Sequence, residues 1–284
     1  MHALSICRYH ILDYKLVEVE TMMEFRTVVN IPKPDFQIDP LESILFVGSC
    51  FADKIGHRFE EERFPVTVNP FGVMYNPASI LHTIQRCEAV PRIAFLTLGT
   101  NHIYRLKETG EIVDNCQKRP QNLFQEEELS IDQCVDYLSQ AVDELYHCNP
   151  DVHVVLTVSP IRYAKYGYHG SQLSKATLLL AAHRLTAERP FVSYFPAYEI
   201  VLDELRDYRF YQPDMLHPSD QAVEYIWQQF VEVYFSPRAK QFLQEWKPIK
   251  EALAHRPFHP DSDAYRQFLE KTRHDEKELL ARYQ

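Results

Sequence analysis

The chain has 284 residues, 45% of them apolar, enough to fill the core of one large domain or of a domain with an appendage. A formal charge of -10 argues against nucleic acid and against an anionic membrane surface as main partners, since both would be repelled. Within the first 21 residues Arg8, His10, Asp13, Lys15 and Glu18 interrupt every apolar stretch, so neither a signal peptide nor a membrane span is expected.

Six cysteines, Cys7, Cys50, Cys87, Cys116, Cys134 and Cys148, are scattered with no Cys-x-x-Cys pair. That pattern suits reduced thiols and predicts a cytoplasmic protein.

In chain order, Met22 or Met23 reads as the start, which makes residues 1–22 an N-terminal extension. Residues 25–29 predict a short strand and the proline-rich stretch 31–40 an irregular connector. An apolar run at 44–47 is too short for a helix, and Ala52, Ile55 and Phe59 then recur at helical spacing, which predicts a strand feeding a helix over 51–62. Strands follow at 66–68 and 93–98, separated by structured loop at 69–72 and 76–77 and a helix at 78–86. Residues 103–107 and 111–114 flank Gly110 as a hairpin. Helices are predicted at 131–146, 174–188 and 220–235, with strands at 152–158 and 192–195.

Strands alternating with helices imply a three-layer α/β/α domain with a parallel sheet over residues 23–235, its ligands gathered beyond the carboxyl ends of the strands. Residues 236–284 read as a helical appendage, two charged helices at 237–254 and 262–283 separated by Arg256-Pro257-Phe258-His259-Pro260.

Two distant segments carry chemistry. Gly48-Ser49-Cys50-Phe51-Ala52 delivers nucleophile-capable side chains from a strand to a helix start, where unpaired N–H groups favour a thiolate. Asp214-Met215-Leu216-His217-Pro218 places a carboxylate three residues before an imidazole, close enough to steer the ring as a general base. Pro218 keeps His217 out of the α region, and Ser219 suits the N-cap of the next helix. Alone, Cys50 reads as a small buried hydrophobe and the Asp/His pair as turn and surface residues. Their co-occurrence points to hydrolase or acyl-transfer chemistry. Arg162, at a strand's carboxyl end, is a candidate for a substrate carboxylate or phosphate, or else a structural ion pair. His255 and His259 have metal-like spacing, but Pro257 breaks the helix that would align them, so no metal is expected.

On Gly48 to Ala52 the chain is identified as a member of the GSCFA family, which resembles the SGNH (GDSL-type) hydrolases. The resemblance runs from about residue 25 to 235 and includes Asn69-Pro70-Phe71-Gly72, Ser159-Pro160-Ile161-Arg162, Ser174-Lys175-Ala176 and Asp207-Tyr208-Arg209-Phe210. It implies a flavodoxin-like sheet and an esterase or acyltransferase acting on a small acyl ester, for example acetyl on a sugar or metabolite, without cofactor. It further implies oxyanion donors at Gly72, Asn101 and the Cys50 N–H, with His217 as base and Asp214 as its partner. Two positions depart from the SGNH pattern. Superposing the glycines puts the nucleophile at Cys50, whereas a one-residue slip restores Ser49; Cys50 is favoured. His102 stands where the Gly-x-Asn-Asp block has its aspartate. A non-catalytic binding or scaffold protein that keeps the fold is the alternative.

Overall fold

The computed structural model describes residues 26–116 and 119–284. The predicted extension at 1–22 lies outside them. The strand predicted at 25–29 is not formed over residues 26–29. The Val29 N–H donates instead to the Glu204 carboxylate at 3.0 Å, so no ladder partner fixes it.

β1 (Ile44–Gly48) is buried throughout and hands over directly to α1 (Cys50–Glu61). β2 (Val66–Val68) is followed by α2 (Pro77–Arg86), started by the Asn76 side chain and by a proline in the first turn, where a missing N–H costs no hydrogen bond. β3 (Ile93–Leu98) has its predicted bounds, and the hairpin of β4 (His102–Leu106) and β5 (Ile112–Val113) turns through Gly110 at φ +74°. β6 (Phe124–Glu128) pairs antiparallel with β4; its Gln-Glu-Glu-Glu run gives no apolar signal because the strand is mostly wet. α3 (Ile131–Cys148) opens on a Ser130/Gln133 capping box and leads to β7 (His153–Val158). α4 (Gly167–Glu188) starts well before residue 174, its early turns being too rich in Gly, Tyr and His to announce a helix. β8 (Val192–Tyr194) and α5 (Ala197–Glu199) lead into a π-helical turn, Ile200–Leu205, that the sequence did not announce. α6 (Asp220–Tyr234), α7 (Pro237–Ala254) and α8 (Asp263–Tyr283) complete the chain, each N-capped by a serine.

β1, β2, β3, β7 and β8 form one parallel sheet in the order β2-β1-β3-β7-β8, the flavodoxin-like arrangement. Side chains alternate across it. Ile44, Phe46, Ile93, Phe95 and Val155 pack with α1 and α6, while Leu45, Val47, Ala94, Leu96, Val154 and Leu156 pack with α2, α3 and α4. The fold is therefore a three-layer α/β domain, with β4, β5 and β6 as a small antiparallel excursion. Strand order reverses between β1 and β3, so the loops leaving their carboxyl ends open a crevice there.

α7 and α8 join the core beyond α1. Trp246 is fully buried and its indole N–H donates to the Glu61 carbonyl at 3.0 Å; Lys250 bridges Glu61 and Glu62, and Phe242 packs on Phe64 and Tyr283. All of this lies at the C-terminal end of α1, away from Cys50 at its start. Trp246→Ala is therefore expected to cost about 3–5 kcal/mol in urea unfolding, the range for a buried Trp truncation. The crevice at the other end of α1 should keep its geometry, which near-ultraviolet tyrosine signals can check.

Candidate active site

Gly48 ends β1 at φ +146°, hard against β3: a Cβ there would run into the Thr97 carbonyl. This close approach fixes the exit of the chain. Ser49 is fully buried, and its hydroxyl is spent as the N-cap, accepting the Phe51 N–H at 3.3 Å. Cys50, the first residue of α1, is half-buried instead, and its Sγ lies 3.7 Å from the Tyr75 hydroxyl. Burial, with Cys50 and Asp53 beside it, pushes the Tyr75 phenol up to about 12, so it stays a donor at any working pH. Among the described residues the Cys50 N–H meets no acceptor.

Asn69 braces this turn. At φ +39° after β2, it accepts the Gly48 N–H at 2.8 Å and donates to the Asp53 carboxylate, tying the end of β1 to the first turn of α1. The Asn-Pro dipeptide signals a turn but not this bridge. Tyr75 was likewise unmarked in the sequence. Its carbonyl accepts the N–H groups of Gly99 and Thr100, at 2.9 and 2.7 Å, which joins the loop after β2 to the end of β3.

Asp214 and His217 form the pair their spacing predicts: Nδ1 lies 2.6 Å from Asp214 Oδ2, while Oδ1 accepts the N–H groups of Leu216 and His217 at 2.8 and 3.0 Å. The backbone amides of His217 and Leu216, then the imidazole, hold the Asp214 carboxyl down at about 2. The carboxylate is thus ionised through the physiological range and is placed to accept a proton from Nδ1. A bridge between Tyr211 and Pro218, with Met215 at φ +59°, closes the loop. Arg162 clamps it. Its backbone N–H donates to the Leu216 carbonyl and its guanidinium to the Met215 carbonyl, both at 3.1 Å.

α1 and α6 start at the same rim, where Lys54 reaches the Pro218 carbonyl at 3.5 Å and Asp220 at 3.2 Å. The flanks of Cys50 and His217 are thereby joined, yet among the described residues no hydrogen bond links the imidazole to Cys50 or Ser49.

Two of the predicted oxyanion donors are occupied elsewhere. The Gly72 N–H donates to the Asn69 carbonyl at 2.8 Å within its own turn. Asn101 is buried, its amide donating to the Leu129 carbonyl at 2.8 Å and its backbone N–H to Ser174 Oγ at 3.0 Å, so it secures the end of β6. His102 opens β4, stacked on Tyr166 with centroids 3.6 Å apart; burial lowers its pKa against the pull of Glu128 and Glu126. The His255 ring packs beside Tyr265 and Phe268, and among the described residues no cluster of three or more His, Cys, Asp or Glu could hold a metal. Nor is any described helix long and apolar enough to cross a membrane.

Among solved structures the chain is similar to an acetylxylan esterase from Geobacillus stearothermophilus (12% identity, TM-score 0.48, 71% of this chain and 98% of that one). It is also similar to a family 3 carbohydrate esterase from Clostridium thermocellum (14%, 0.40, 75% and 99%) and to a GDSL-like lipase from Bacteroides thetaiotaomicron (14%, 0.43, 67% and 88%). None of the curated proteins compared with it matches the chain. A model described as the GSCFA domain protein, C-terminal domain, matches residues 246–284. The model of the GSCFA family matches residues 43–90 and 88–230, more than half of the chain, which therefore belongs to that family.

Proposed function

We propose that the protein hydrolyses or transfers a small acyl ester, with Cys50 as nucleophile, His217 as general base and Asp214 as the group that orients the ring. The observation that carries this reading is the Asp214–His217 pair, its carboxylate held ionised by two backbone amides, at the rim where α1 presents a half-buried thiol. In the first half-reaction His217 Nε2 takes the thiol proton and the sulfur attacks the ester carbonyl. The tetrahedral oxyanion then collapses to a thioester while the imidazolium returns the proton to the leaving alcohol. Water, or an acceptor hydroxyl, gives its proton to His217 as it attacks the thioester carbonyl; the C–S bond then breaks, the acyl group leaves on the new oxygen, and the imidazolium returns the proton to the sulfur. The Cys50 N–H and the Tyr75 hydroxyl, the latter 3.7 Å from the sulfur, are the donors to which we assign the oxyanion in place of Gly72 and Asn101. The alcohol half is a sugar or a related small metabolite, and the location is the cytoplasm.

After brief exposure to p-nitrophenyl acetate, peptide mass mapping should find the acetyl group on Cys50. Acetyl on Ser49, or on neither residue, would refute the assignment. Ser49→Ala should cost about 1 kcal/mol of stability as a lost N-cap and leave Cys50 acetylation in place, which denaturant unfolding and the same mapping would check together.

A second reading, a non-catalytic binding protein on the same fold, is favoured by one observation. The imidazole makes no hydrogen bond to the thiol in the described residues. Ester turnover that depends on His217 would exclude it, because unliganded sites often tighten only when substrate arrives.

A further inference from the structure

The loop bearing Asp214 and His217 has a second face. Arg162, Gln172, Arg206, Asp207, Tyr208 and Tyr211 line a cavity of about 250 Å³ there. Arg162 belongs to both sides, since it holds the Met215 and Leu216 carbonyls, and Tyr211 is bridged to Pro218, the neighbour of His217.

The cavity brings together donors that are not spent within the fold. Arg58, Arg86, Arg105, Arg184 and Arg189 are all ion-paired, but among the described residues neither Arg162 nor Arg206 meets a carboxylate. Arg162 uses one guanidinium N–H on Met215 and is fixed over the rings of Tyr168, at 4.2 Å, and Tyr211, at 5.4 Å. A guanidinium has five N–H groups, so most of its capacity is unused. The Gln172 carbonyl accepts the Tyr198 hydroxyl, which leaves its amide N–H groups without an acceptor among the described residues. Asp207 is turned to its own chain, accepting the Arg209 N–H at 2.9 Å and lying 3.8 Å from the Arg209 guanidinium.

Arg206, an exposed residue, lines the cavity together with Arg162. The π-helical turn Ile200–Leu205 ends on it, and it adopts φ +40°, a left-handed conformation that side-chain-bearing residues take at a cost. Such irregularities persist where the fold over-determines them and gather at functional sites.

We propose that this cavity binds an anionic group, a carboxylate or a phosphate, carried by the substrate and held between the guanidinium groups of Arg162 and Arg206. The inference rests on the esterase reading for the word substrate, not for the binding itself. A planar fork of N–H donors over aromatic rings suits oxyanions with several acceptor oxygens. The net charge of -10 does not oppose this at contact, because charges beyond about 8 Å are largely screened at physiological salt. Asp207 and Tyr208 on one side and Arg162 on the other thus line one site.

Thermal unfolding would be followed in inorganic phosphate, in succinate and in sodium chloride at matched ionic strength, for the wild type, Arg206→Gln and Arg206→Lys. The wild type should gain Tm in phosphate or succinate over chloride, and whichever anion does so identifies the group. Arg206→Gln should lose most of that gain, and Arg206→Lys should keep part of it, having the charge without the fork. With esters, the ratio of kcat/KM for mono-p-nitrophenyl succinate over p-nitrophenyl acetate should fall about tenfold in Arg206→Gln, the scale of one charge-assisted contact. Failure to cleave either ester would sink the esterase reading and leave the Tm measurement standing. No Tm gain over chloride in the wild type, or an equal gain in Arg206→Gln, would overturn the anion site.

Discussion

His217→Ala should lower kcat/KM for p-nitrophenyl acetate by about 10²–10⁴-fold, the range contributed by a positioned general base. Cys50→Ala should remove turnover altogether, because no other half-buried nucleophile stands at the start of α1 and the Ser49 hydroxyl is spent as the cap. Asp214→Asn is the more discriminating change. Its carbonyl oxygen can still accept the Leu216 and His217 N–H groups, so the loop should keep its shape, but its amide would donate to Nδ1 and move the imidazole proton to Nε2. A general base would then be lost without loss of fold. The expected result is a fall in kcat comparable to that of His217→Ala, with unchanged near-ultraviolet circular dichroism. The acid limb of the pH–rate profile should come from a group other than Asp214, which is already ionised above about 2. Equal rates for Asp214→Asn and the wild type would dismiss the pair as a catalytic device.

The strands were legible because burial on both faces writes a parallel strand as a short continuous apolar run; β1 and β3 are the clear examples. α6 announced itself through Ser219 placed before an amphipathic stretch, and α7 and α8 as two charged helical stretches parted by the proline-containing run 256–260. Where the fold departs from regular repeats, the sequence was silent. β6 is a wet excursion strand with no alternation to read, and Ile200–Leu205 has the apolar content of an α-helix but a π-helical path. The Asp214–His217 contact was readable because it is local: three residues and a proline determine it. The oxyanion donors were not. Gly72 and Asn101 were expected there, but whether their N–H groups are free depends on Asn69 and Leu129, contacts that sequence spacing does not encode.

Lys175 illustrates a further property that only packing reveals. In the sequence it is one charged residue of a helix; in the fold its side chain is fully enclosed, and Nζ donates to the Gly99 and Ser159 carbonyls, both at 2.7 Å. It therefore joins the carboxyl ends of β3 and β7 beneath the crevice, with the Tyr163 ring 4.9 Å away. Burial pushes its pKa down to about 7 from an ordinary 10.5. A neutral amine has two N–H groups, and both are used. Lys175→Met should fill the space of the stem but strand two buried carbonyls, at a cost of about 1–3 kcal/mol each. The sign of the pH dependence follows from linkage. Between about pH 7 and 10.5 the unfolded chain holds a proton on Lys175 that the folded chain has released, so stability rises with pH across that window, by at most about 1.4 kcal/mol per unit. Below pH 7 both states carry the proton and the full penalty of burying the charge applies. Urea titrations at pH 6 and pH 9 should therefore show the wild type gaining stability relative to Lys175→Met at the higher pH. Taking the difference cancels the tyrosines, which titrate in both proteins. A wild type that gains nothing relative to Lys175→Met between these pH values would mean that Lys175 keeps its charge in the fold, with the two strand-end carbonyls and the tyrosine ring sufficient to hold a buried cation.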